Sequence, residues 1–275
     1  MSGTDGEAWV LTLVQAAVLG IVQGITEFLP ISSTAHLYLV PWLLGWPEHS
    51  LAFDVGLHMG TLVAVTAVFW RDLLDLALAA VREGMRTSRG RLAWGIAAGT
   101  VPAALAGLIL EDVVEEVLRS PLVMAASLAV LGVVLWQVDR RAARGRRLDQ
   151  VGFADVVYVG FAQMLALVPG VSRSGITMTA GLLEGLEREA AARISFLLSF
   201  PVILGAGVLK LPDIGGGAGD PAFWTGVLTS SVTGFLAIRY LLAYLRRGSY
   251  SVFAAYRVGL AVLVVLSYAL GYRGS

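Results

Sequence analysis

One stretch of this 275-residue chain, Gln23-Gly-Ile-Thr-Glu27-Phe-Leu-Pro30-Ile-Ser32-Ser33-Thr34-Ala-His36, gathers most of the side chains that could do chemistry. Gln23 and Glu27 stand at i, i+4 and so share a helix face. An ionised carboxylate among apolar neighbours is costly unless paired or hydrated, which marks Glu27 as a functional-site residue; the plainer alternative is a structural partner for a buried arginine. After Pro30, Ser32, Ser33 and Thr34 sit where N-caps belong, and the free N–H groups of the next helix face back into the break, a place that attracts anions. His36 follows Ser33 by one turn, within reach of the same place. A second stretch, Pro169-Gly170-Val-Ser172-Arg173-Ser174-Gly175, repeats the device and adds a guanidinium able to grip phosphate oxygens with two N–H groups.

Together these groups form a phosphoryl-transfer set. Ser33 is the expected nucleophile, His36 the acid/base, Glu27 a base, and Arg173 the grip on the oxygens. Gln23, Ser32, Thr34, Gly170, Ser172 and Ser174 are expected to bind the substrate around them. Attack by water, without a phosphoserine, is the other route. Asp54 and His58, also at i, i+4, are secondary candidates; Arg257 is read as a snorkelling residue, Glu184 as solvated, and the arginine-rich loops as topological signals only.

The elements that must position these residues are membrane spans. The chain is 57% hydrophobic and 15% charged, against roughly 25% charged in ordinary soluble domains. Equal numbers of acidic and basic residues, 20 of each, give no field for nucleic acid, and the absence of cysteine removes thiolate chemistry and Cys-based metal sites. Asp5 and Glu7 near the start, with no basic n-region, argue against a removable signal peptide. Stretches near 52–70, 92–110, 121–138, 191–211, 223–243 and 252–272 are long enough to cross about 30 Å of hydrocarbon. Two broken segments, 8–29 with 32–46 and 152–168 with 172–186, are expected to be re-entrant hairpins, because their second arms are short for a span. Arginines cluster at 71–91, 140–147 and 246–247, which places those loops in the cytoplasm and both termini outside.

Laying Gly20-Ile-Val-Gln23 on Gly160-Phe-Ala-Gln163, an offset of 163 − 23 = 140, puts Ser32 on Ser172 and Thr34 on Ser174. The reading is an all-α polytopic membrane protein, one membrane domain over 1–275. It holds two inverted-topology repeats, 1–140 and 141–275, each a re-entrant helical hairpin plus three transmembrane helices, with the site near the midplane.

Through Gln-Gly-Ile-Thr-Glu at 23–27, Phe-Leu-Pro-Ile-Ser-Ser-Thr-Ala-His at 28–36 and Pro-Gly-Val-Ser-Arg-Ser-Gly at 169–175, the chain resembles the undecaprenyl-diphosphatase family over nearly its whole length. Gln23 stands where that family has Glu or Gln, which weakens a scheme with two carboxylate metal ligands, and Ala35 stands where Gly is usual. The resemblance implies hydrolysis of a polyprenyl diphosphate to the monophosphate for cell-wall synthesis. It also implies a divalent cation, magnesium or calcium, for which Glu27 is the candidate ligand, an active site open to the external face of the plasma (inner) membrane, and lowered bacitracin sensitivity when the protein is abundant. The expected partners are the lipid substrate and the bilayer, with no nucleic acid; a homodimer is left open. The competing reading is a polyprenyl-phosphate or phospholipid transporter or flippase, alone or combined with hydrolysis, since inverted repeats with broken helices are a transporter architecture.

Overall fold

The protein is described by a computed structural model covering residues 11–114, 118, 120–143 and 145–271. Both chain ends, with Asp5 and Glu7, and Arg144 of the 140–147 cluster lie outside the described residues. Helices follow one another as α1 (Leu13–Phe28), α2 (Ser33–Leu44), α3 (Leu51–Arg82), α4 (Ser88–Val113) and α5 (Pro121–Arg141). Then come α6 (Phe153–Gln163), α7 (Arg173–Leu183), α8 (Arg188–Leu209), the single turn α9 (Leu211–Ile214), α10 (Pro221–Leu245) and α11 (Ser251–Ala269). The described residues form no strand, and six helices, α3, α4, α5, α8, α10 and α11, are long and apolar enough to cross a membrane. This is a multi-pass membrane protein. Leu74, Ile109, Leu228 and Leu263 are among many large apolar side chains on its outer surface, where hydrocarbon rather than water is the natural solvent.

The helix α3 outruns its apolar stretch by about three turns. Its backbone leaves helical geometry at Phe69 (φ −108°, ψ 16°). Beyond that kink, Arg71, Asp72, Asp75 and Arg82 make an amphipathic extension that hydropathy alone does not register.

Each segment expected to form a re-entrant hairpin consists of two helices about a break. The N-cap of α2 is Ser32 (φ 76°, ψ 99°) and that of α7 is Ser172 (φ 73°, ψ 113°). They are the only non-glycine residues with positive φ among those described. Such a backbone costs of order 1–3 kcal/mol and persists only where surroundings impose it. The first arms pack alike in the two halves: α1 runs along α10, and α6 along α4. Gly20 on α1 and Gly160 on α6, 160 − 20 = 140 residues apart, make the closest approaches; a Cβ on either would collide with Thr229 or with the Gly99 backbone. Small residues let membrane helices pack this closely. Between the arms, Phe28, Phe69 and Phe196 form an aromatic core, with ring centroids at 5.5 and 6.1 Å, tying the first break to α3 and α8.

At the far end of the bundle, two charge clusters fasten loops. Arg188 grips the fully buried Asp139 with two bonds of 2.6 and 3.0 Å, and the Tyr250 N–H donates to the same carboxylate at 3.2 Å. Arg146 donates to Asp155 at 3.0 and 2.6 Å and to the Glu184 carbonyl at 2.8 Å, closing the open end of the second hairpin. The hydrogen bonds that Arg146 donates to Asp155 hold its guanidinium pKa above the ordinary value. One arginine of the loop read as purely topological thus has a structural task.

Candidate active site

The two breaks meet at the wall of a cavity of about 390 Å³. Glu27, Ser32, Ser33 and Thr34 reach it from the first hairpin, Gln163, Gly170, Ser172 and Arg173 from the second, Asp54 and His58 from α3, and Lys210 from the end of α8. Leu51, Val55, Leu167, Val202 and Ile203 make apolar wall between them.

Glu27 is the centre. It is buried, and its Oε1 accepts from Arg173 Nη2 at 2.9 Å. Its Oε2 accepts from the Ser33 hydroxyl at 2.5 Å and from Gln23 Nε2 at 3.3 Å. Both residues of the ion pair have little exposed side chain, 6% and 13%, so their attraction is poorly screened. His58 Nε2 lies 4.0 Å from the same Oε2, while its Nδ1 is 2.8 Å from the Asp54 carbonyl. That carbonyl fixes the proton on Nδ1 and turns Nε2 toward the cavity as a group able to exchange protons.

The helix starts are built as expected. Ser32 Oγ accepts from the Ala35 N–H at 3.4 Å and Ser172 Oγ from the Gly175 N–H at 3.1 Å, each satisfying one orphan donor while leaving the others aimed into the break. Beneath both breaks lies Arg257, fully buried. It donates to the carbonyls of Pro30 at 3.3 Å, Gly170 at 3.1 Å, Val171 at 2.9 Å, Leu128 at 3.2 Å and Ser127 at 3.3 Å. Gly175 makes room for it, since a Cβ there would stand 2.7 Å from Nη1. The snorkelling reading of Arg257 is therefore corrected: a guanidinium with five carbonyl acceptors has no reason to seek water, and it satisfies backbone groups that the breaks leave open.

Of the residues singled out in the sequence, Glu27, Ser33 and Arg173 come together in direct contact, and Ser32, Thr34, Gly170 and Ser172 line the same cavity. Gln23 touches Glu27 from behind and does not reach the cavity wall. Ser174 turns inward and donates to the Leu29 carbonyl at 3.0 Å, linking the hairpins. His36 is not brought to this place. Its Nδ1 is 2.7 Å from the Ser32 carbonyl and its Nε2 2.7 Å from the Tyr256 hydroxyl, on the α11 side of α2. Ser33 and His36 are one turn apart but face different partners. The histidine that does reach the cavity is His58. Missed altogether were Gln163, visible as the repeat mate of Gln23, and Lys210, the chain's single lysine.

No three His, Asp or Glu side chains converge among the described residues, and both Glu27 oxygens accept from Arg173, Ser33 and Gln23. A magnesium-like cation is commonly held by one or two carboxylates together with water and substrate phosphates, so Glu27 with the headgroup oxygens would hold one.

A membrane-embedded cavity with a serine, a carboxylate and an arginine in contact on one wall and aliphatic side chains on the other defines a protein that handles an amphiphile with an anionic head. The chain belongs to the family described as bacitracin resistance protein BacA, whose model matches residues 16–263. It is 52% identical over 255 residues to the undecaprenyl-diphosphatase of Moorella thermoacetica, covering 93% of this chain and 97% of that one. Similar proteins of the same description come from Thermomicrobium roseum, 50% identical with 93% and 98% covered, and Desulforudis audaxviator, 49% identical with 91% and 97% covered.

Proposed function

We propose that this chain hydrolyses undecaprenyl diphosphate to undecaprenyl phosphate and inorganic phosphate, returning a carrier lipid to cell-wall synthesis. The observation that carries the reading is the contact of Ser33 with Glu27 and of Glu27 with Arg173 inside one cavity, in a chain about half identical to undecaprenyl-diphosphatases.

The diphosphate enters the cavity and its oxygens take N–H groups at the starts of α2 and α7 together with the outward edge of Arg173. The anion competes with Glu27 for Arg173, which leaves the carboxylate a stronger acceptor for the Ser33 proton. Ser33 Oγ attacks the terminal phosphorus as its proton passes to Glu27; the new P–Oγ bond forms and the bond to the bridging oxygen breaks, releasing the polyprenyl monophosphate. Water then attacks the phosphoserine, the P–Oγ bond breaks, and Glu27 returns the proton to Ser33 while His58 Nε2 takes the proton from water. Phosphoryl transfer has a loose transition state, so positioning and charge neutralisation carry most of the work. His36, bonded to the Ser32 carbonyl, positions the break rather than exchanging protons with substrate. No step passes through a metal ion.

The inverted-repeat reading is supported by the two serine caps with nearly equal dihedrals and by the matching packing of α1 on α10 and α6 on α4. The orientation reading rests on connectivity. Leu51 begins α3 and Lys210 follows α8 on the cavity wall, whereas the arginine-rich ends of α3, α5 and α10 lie at the opposite end. Positive loops face the cytoplasm, so the Leu51 and Lys210 ends of those helices face outward; α11, running away from those loops, ends on the same side. The test is purified protein with undecaprenyl diphosphate in detergent micelles. Equimolar inorganic phosphate and undecaprenyl phosphate are expected; phosphate-free flux of the lipid across vesicles would instead make it a transporter.

A further inference from the structure

Gln163 has no place in the scheme above, yet it lines the cavity, is only 2% exposed, and has no hydrogen-bond partner for either Oε1 or Nε2. Its repeat mate Gln23 uses Nε2 on Glu27. In the second half the position matching Glu27 is Leu167 (167 − 27 = 140), so Gln163 has no carboxylate at i+4 to meet its carboxamide. A buried polar group without a partner is costly, and its presence on the cavity wall points to a ligand.

Resting on the hydrolase reading, we propose that Gln163 is a headgroup-positioning residue: its carboxamide takes the terminal phosphate in a singly protonated form, Nε2 donating to an ionised oxygen and Oε1 accepting from P–OH. A fully ionised phosphate offers acceptors only and would set negative oxygens against Oε1. Local charge agrees. Arg173 is already paired with Glu27, and the remaining titratable groups on the cavity wall are Asp54 and His58 on α3 and Lys210 after α8, with Ala103 from α4 uncharged. A headgroup carrying one proton brings one negative charge fewer into that setting.

The experiment measures KM and kcat between pH 5.5 and 8 for wild type, Gln163→Leu and Gln163→Asn at matched folded concentration. A phosphate monoester loses its last proton near pH ~6, so wild-type KM should rise with pH. Gln163→Leu should raise KM ~10–100-fold at pH 6, the loss expected for buried hydrogen bonds to an ion, and should flatten that rise. Gln163→Asn should keep the slope. Thermal stabilisation by inorganic diphosphate, larger at pH 6 than at pH 8 and lost in Gln163→Leu, reads the same contact without turnover. If wild type binds in this pattern but releases no phosphate, the hydrolase reading fails and the Gln163 contact stands. A Gln163→Leu protein with KM within twofold of wild type and an unchanged pH slope overturns the proposal, and should that variant not fold, Gln163→Met decides in the same way.

Discussion

The two hairpins share a backbone and differ in chemistry. Each has a serine N-cap at positive φ, a helix start facing the break and carbonyls held by Arg257. Yet Glu27 faces Leu167 across the 140-residue offset, and Ser33 faces Arg173. Two changes of side chain turn a matched pair of anion cups into a lopsided site, with a proton acceptor and an attacking oxygen on one side and a cation on the other. The ends differ as well. The second hairpin is clasped by Arg146, while α2 of the first holds Pro41 and ends on Gly45 in the left-handed conformation. On the proposed reading, two breaks of like backbone receive the ligand, and the difference in their side chains decides what happens to it.

Breaking that asymmetry should cost most. Glu27→Gln keeps shape and hydrogen bonds but removes the charge that takes the Ser33 proton, and turnover should fall ~10³-fold or more at unchanged fold, losses of this size being typical of a group acting in the transition state; an activity within tenfold of wild type would make Glu27 a structural counter-ion. Arg257→Met removes what the two halves hold in common. Leaving buried carbonyls without a donor should destabilise the protein by about 3–5 kcal/mol, read as a lowered Tm or lost folded yield in detergent. Arg173→Lys keeps charge and loses the planar fork, so a ~10²-fold drop in kcat/KM is expected; a Tm change without a rate change would assign Arg173 to hairpin docking alone.

The paired serines sharpen the contrast. Ser33→Ala should nearly abolish hydrolysis, whereas Ser32→Ala, which removes a cap, should cost about 0.5–2 kcal/mol of stability and only a modest part of the rate. Equal, mild losses in the two would hand the attack to water. Smallest of all, Tyr256→Phe deletes one partner of His36 and should slow turnover only a few-fold; a loss matching that of Glu27→Gln would restore His36 to the chemistry.

Periodicity and composition made the six spans and both breaks readable in advance, and the paired motifs made Glu27, Ser33 and Arg173 readable as one site. What escaped depended on three-dimensional direction. His36 is one turn from Ser33 in sequence, but the turn points it at Tyr256; His58, distant in sequence, is delivered by the packing of α3 against the breaks. Arg257 was misread because an arginine near a span end has two outlets, water or buried carbonyls, and only the fold shows that both breaks lie beside it.

The size of the cavity has a consequence for the substrate's other end. At about 390 Å³ it is near the lower limit of pockets that enclose a drug-sized molecule, room for a charged head and the first carbons of a tail. The remainder of a long polyprenyl chain would stay dissolved among lipid tails outside it. The bilayer is then half of the binding site: it concentrates the substrate in two dimensions and presents the head at a fixed depth. Chain length would be sensed through how the lipid partitions and diffuses, and hardly at all by the protein.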